Sequence, residues 1–118
     1  MRVLTRDSLE WQDGEGCSRA VVHNEKLGES LVQIEMLEVG AGQTVKPHTH
    51  KKRREFIVVV HSSGAQIRLG ERVFRPVAGQ SFEREPGEIM EVVNDSHQPT
   101  RFLVTQLGFD AADVQPAT

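Results

Sequence analysis

The residue types best suited to chemistry lie in one short stretch, Pro47-His48-Thr49-His50 followed by Glu55. Imidazoles and carboxylates bind transition metals and exchange protons near neutral pH. Two histidines at i and i+2 on an extended strand face the same side, so His48 and His50 can both reach one ion. Glu55 can return as a third ligand if it opens the next inward-facing stretch. Two imidazoles and a carboxylate suit Zn, Fe, Mn, Ni or Cu and leave coordination positions open. Without an ion, the same groups can hydrogen-bond one another inside a ligand pocket. The run between them, Lys51-Lys52-Arg53-Arg54, reads as a solvated loop at a rim. Its sharper reading is a patch that draws an anionic small molecule, a carboxylate or phosphate, to a mouth. His23, His61 and His97 are expected at the surface or in local hydrogen bonds. No charge near Cys17 in the sequence lowers its pKa, so a structural role is expected. The chain has no tyrosine, so a phenol cannot serve as acid, base or crosslink partner.

These groups must be positioned by strands. From Leu31 to Val39 the apolar Val32, Ile34 and Met36 alternate with Gln33 and Glu35, the period of a half-buried strand. Phe56 to Val60 is a continuous, mostly β-branched run, which predicts a strand buried on both faces. Ile67 and Leu69 alternate with polar neighbours, and Gly70-Glu71 predicts a tight hairpin into Val73-Phe74. Ser81 to Arg84, Met90 to Val93 and Arg101 to Leu107 complete the core strands, separated by Pro86-Gly87 and by a turn-rich stretch from Asn94 to Pro99. Arg75 and Arg84 read only as strand ends. Ser18 to His23 is another strand candidate, Trp11 to Gly16 reads as loop, and Ala111 to Thr118 as a loose tail or one helical turn. Trp11 and Phe109 are expected in packing or dimer contacts. Short strands at regular spacing predict an all-β antiparallel sandwich or barrel.

The bulk properties bound the function. A chain of 118 residues has the size of one domain, with no repeat or linker to mark a second. A net charge of −3 argues against nucleic acid as a partner. A single cysteine, no apolar leader and no run long enough to span a bilayer predict a cytoplasmic protein without a membrane partner.

The spacing then becomes specific. Gly42, five residues, His48-Thr49-His50, four residues and Glu55 resemble the first motif of the cupin superfamily. Gly79, then Glu85-Pro86-Gly87, Met90 and Asn94 fall in the register of the second. The resemblance is to small single-domain cupins of the cupin 2 conserved-barrel type, with a motif core over about 30–107, an N-terminal strand region at 1–29 and a tail at 108–118. It implies a jelly-roll-like β-barrel with metal ligands at His48, His50 and Glu55. Met90 stands where the family has a fourth ligand, a histidine. Strand parity puts Met90, Val92 and Asn94 on one face, so the thioether points inward, where it is a soft, weak ligand. Glu85 replaces the motif's first proline, and Gly64 arrives two residues later than the motif's final glycine.

The resemblance implies a small-molecule-binding protein with dioxygenase, isomerase or decarboxylase chemistry. A metal held by His48, His50 and Glu55 would polarise a carbonyl or activate water or dioxygen. Glu55 and His48 are the expected catalytic groups, with Glu55 as ligand or base according to whether metal is present. The alternatives are a metal-free binding or sensing cupin with a degenerate site, favoured by Met90, and a metal-independent sugar-nucleotide ketoisomerase, suggested by Phe56 after the His-x-His-Lys-Lys run. Small cupins commonly pair, so a homodimer is expected.

Overall fold

The computed structural model describes residues 1–108 and 114–116. Among the described residues, a turn of 3-10 helix, Arg6–Ser8, precedes eleven strands. These are β1 (Trp11–Gly14), β2 (Cys17–Leu27), β3 (Ser30–Val39), β4 (Thr44–His50), β5 (Arg54–His61), β6 (Gln66–Leu69), β7 (Arg72–Phe74), β8 (Ser81–Arg84), β9 (Met90–Val93), β10 (Thr100–Leu107) and β11 (Val114–Pro116). They form two antiparallel sheets. One runs β1-β2-β3-β10-β5-β8 and the other β11-β4-β9-β6-β7. The Gly70-Glu71 hairpin joins β6 to β7 as expected, with Gly70 at φ 60°.

Two regions differ from the sequence reading. Trp11 to Gly14, expected as loop, pairs along β2 from Trp11↔Ala20 to Gly14↔Cys17. Its turn is made by Glu15 and Gly16, both at positive φ, the conformation that suits a tight hairpin. A Cβ on Gly16 would lie 1.8 Å from the Thr44 carbonyl oxygen, so only glycine lets the hairpin approach β4. In the tail, Val114–Pro116 pairs with His50–His48 of β4 as a strand, not a helical turn. Phe109 and the remainder of the expected tail lie outside the described residues.

The apolar core joins both sheets. Phe102, Ile67, Val92 and Val39 are fully enclosed, and Ile57, Val59, Val45 and Met90 surround them. Residues on β3, β10 and β5 share a polarity gradient. Leu37↔Phe102↔Val59 is apolar, whereas Gln33↔Gln106↔Glu55 is polar, four pairs further along the ladder on β3 and β10. The barrel therefore has an apolar end and a buried polar end.

This gradient inverts one expectation. On β3 the inward side chains are Gln33, Glu35, Leu37 and Val39, while Val32, Ile34 and Met36 lie half-buried on the opposite, outer face. The continuous run on β5 is likewise buried on one face only. Ile57 and Val59 are inside, but Val58 and Val60 are 38% and 48% exposed. Described residues add no third layer over that outer face.

Candidate functional site

The polar end gathers the residues singled out by spacing. His48 and His50 leave β4 on the same side, their ring centroids 5.3 Å apart and edge-on. Glu55 comes in from β5, its Oε1 3.6 Å from His50 Nε2. Met90 pairs with His48 across β4 and β9 and is 3% exposed. All four line one small internal cavity. The turn at Pro86-Gly87 braces it, since the Gly87 N–H donates to the His50 carbonyl at 2.8 Å. Asn94, on the same face of the chain as Met90 and Val92, donates its amide to the Val39 and Gln98 carbonyls and holds the far end of the barrel. His23 and His97 are exposed, and His61 lies at the other end of β5.

Arg84 and Arg53 also enter this cavity, beside Arg19, and the sequence reading missed the roles of both. Arg84, read as a strand end, is 2% exposed. Its Nη1 donates to Glu55 Oε1 at 2.8 Å and lies 3.3 Å from His48 Nε2. Its Nη2 donates to the His48 carbonyl and its Nε to the Glu88 carbonyl at 3.1 Å. Arg53, read as part of a solvated basic run, is 5% exposed. Its Nη1 donates to Gln106 Oε1 at 2.9 Å, and its Nη2 lies 2.8 Å from His50 Nε2. The other face of the Gln106 amide donates to Glu35 Oε1 at 2.8 Å. Strand parity was the available signal. Arg84 follows Phe82 by two positions and pairs directly with Glu55, while Glu35 and Gln106 fall on the inward face of β3 and β10.

The partners fix the protonation of the imidazoles. His48 Nδ1 lies 2.9 Å from the Lys46 carbonyl, which can only accept, so Nδ1 carries the hydrogen and Nε2 presents its lone pair to Arg84. His50 Nε2 faces a guanidinium that can only donate, so it too is an acceptor and Nδ1 carries the hydrogen. Burial, reinforced by the charge of Arg84, pushes the His48 pKa down to about 4. Burial likewise lowers His50. Burial opposes ionisation of Glu55, but the Arg84 hydrogen bond and the charges of Arg84 and Arg53 outweigh it and bring its carboxyl to about 2. Glu55 is therefore a pinned anion and a poor proton acceptor at neutral pH. Burial raises Glu35 instead, making it the carboxyl of the pocket that holds a proton most readily.

The donor set as folded does not fit a divalent cation. Arg84 Nη1 takes the position between His48 Nε2 and Glu55 Oε1 that an ion would need, and a guanidinium stays charged. Arg53 engages His50 Nε2. Among the described residues, no three His, Cys, Asp or Glu side chains are grouped to hold a metal. Met90 contributes its thioether to the cavity wall beside Val45, Leu37 and Ile57.

The inner cavity has a volume of about 20 Å³. Arg19, Glu35 and Arg53 form part of its wall and also part of the wall of a larger open cleft of about 570 Å³. That cleft is bordered by the N-terminal segment, β1, β2, β3 and β10.

No family model and no curated protein matches the chain. Solved structures do. The polyketide cyclase RemF from Streptomyces resistomycificus superposes with a TM-score of 0.81 at 19% identity, over 100% of this chain and 86% of that one. KdgF from Halomonas sp. gives 0.77 at 15% identity, over 95% and 97% of the two chains. An RmlC-like cupin from Shewanella frigidimarina NCIMB 400 gives 0.73 at 16%, over 95% of each. The chain has the cupin fold, the double-stranded β-helix expected from its motif spacing.

Proposed function

We propose that this cupin binds a small molecule at the polar end of its barrel and does so without a resident metal. One observation supports the reading above the others. Arg84 Nη1 sits 2.8 Å from Glu55 Oε1 and 3.3 Å from His48 Nε2, satisfying the two groups an ion would otherwise hold. The alternative of a degenerate metal site is thereby favoured over metal-dependent dioxygenase or decarboxylase chemistry. A proton-transferring isomerase remains compatible with a neutral imidazole pair beside Glu35. The KdgF, RemF and RmlC-like neighbours support the fold of such a pocket and nothing narrower.

The test is elemental analysis of tag-free protein by plasma mass spectrometry, before and after incubation with Fe, Mn, Ni, Cu or Zn, beside a His48→Ala/His50→Ala control. Wild type and control are expected to retain equally little metal. Near-stoichiometric metal in wild type that disappears in the control would overturn the reading.

We also propose that the protein pairs with a second copy through the outer face of its six-stranded sheet. There Met36, Leu103 and Val58 stand side by side across β3, β10 and β5, next to the exposed Val60.

A further inference from the structure

Among the N–H groups buried at the polar end without an acceptor are Nε of Arg19 and Nδ1 of His50. His50 Nδ1 is a donor, because His50 Nε2 is already committed to Arg53. His50 is 3% exposed, beyond the reach of bulk water. Buried donors are rarely left unsatisfied, so the missing acceptors call for a group that is absent from the protein itself. Both residues line the inner cavity, and Arg19 also lines the outer cleft.

Size and charge narrow that group. The inner cavity, about 20 Å³, has room for roughly one water-sized group. The outer cleft, about 570 Å³, is the size of small-molecule sites. A ligand can therefore place only the oxygen of a head group inside and must keep its body in the cleft. Around the inner cavity stand three arginines, Arg19, Arg53 and Arg84, against two glutamates, Glu35 and Glu55. With the imidazoles neutral, a local cationic surplus remains inside a protein whose net charge is −3.

We propose that the Arg19–His50 seam binds the carboxylate of a small organic acid, one oxygen reaching the inner cavity and the rest of the molecule lying in the outer cleft. The proposal rests on the reading of the barrel as a metal-free small-molecule pocket and names the chemical class of its ligand. A flat carboxylate suits the narrow inner space better than a tetrahedral phosphate. Within the basic run, Arg53 is already held by Gln106 and His50 and is not the anchor.

The experiment is a titration of the full chain, followed by side-chain ¹H–¹⁵N spectra of arginine Nε–H and histidine rings at constant ionic strength. The probes are potassium salts of mono- and dicarboxylic acids from acetate to glutarate, their neutral amides, and inorganic phosphate, each to tens of millimolar. At least one carboxylate is expected to shift the Arg19 Nε–H and His50 ring signals saturably, with its amide inert. Arg19→Gln should weaken that binding about tenfold, which corresponds to about 1.4 kcal/mol. If Arg19→Gln misfolds, Arg19→Lys, which keeps the charge but loses the Nε–H, should still weaken it. Carboxylates that leave both signals unmoved, amides that bind equally well, or phosphate binding alone would each overturn the proposal. Metal uptake in the separate elemental analysis would instead overturn the reading beneath it.

Discussion

At the scale of single residues, the decisive one is Arg84. Its guanidinium ties β8 to β4, β5 and the Glu88 turn through donors on all three nitrogens. A buried charge left without its partner is costly, about 3–5 kcal/mol. Arg84→Met is therefore expected to destabilise the protein by about that amount in urea unfolding. Arg84→Met/Glu55→Leu, which removes both charges, should recover more than half of the loss. Equal instability of the single and double variants would show that the ion pair is not the source. His48 makes a second prediction. Its pKa is about 4 in the fold, against an ordinary 6.5, so the unfolded chain takes up the proton first. Stability should be full above pH 6.5 and fall by about 2–3 kcal/mol as the pH drops to 4. Glu55, held at about 2, contributes stability above its ordinary carboxylate range that is lost as the pH falls from about 4.5 toward 2. His48→Asn should flatten the upper part of this profile and spare the lower. A wild-type urea midpoint unchanged between pH 6.5 and 4.5 would contradict a buried neutral His48.

At the scale of elements, the strands of the six-stranded sheet are two-faced in an unusual sense. β3, β10 and β5 send polar side chains inward at one end and apolar ones outward. Alternation alone marks two faces but does not say which is inside. An apolar outer face on a sheet is stable when a second layer covers it. Leu103, flanked by Met36 and Val58 in the ladder, lies at the middle of the proposed contact. Leu103→Lys should convert a dimer to a monomer in light scattering while leaving the barrel folded by circular dichroism. A monomeric wild type at micromolar concentration would remove the second copy from this face.

At the scale of the whole molecule, the barrel divides its interior. Phe102, Val59, Ile67 and Val92 make the apolar end that supports the fold. Gln33, Glu35, Glu55, Gln106, Arg53 and Arg84 make a buried polar end whose members mostly satisfy one another. Such networks are high-stakes, because each unpaired member costs about 1–3 kcal/mol. Arg19 and His50, which carry donors left over, both line the inner cavity, and Arg19 also lines the open cleft. Among the described residues no helix is long and apolar enough to cross a membrane.

The sequence by itself determined the all-β architecture, because turn residues and strand periods are local signals. Motif spacing went further and placed His48, His50, Glu55 and Met90 around one cavity. Local signals also misled. Trp11–Gly14 lacks strand periodicity and is held as a strand by its pairing with β2, a contact between segments. Only the tertiary structure decided the character of the site. Arg84 lies 29 positions from Glu55, and Gln106 lies 53 from Arg53. Whether a charged side chain is solvated or drawn inside depends on partners that the barrel brings from distant strands. Lys51 and Lys52 stay exposed while Arg53 turns in, where Gln106 and His50 meet its guanidinium.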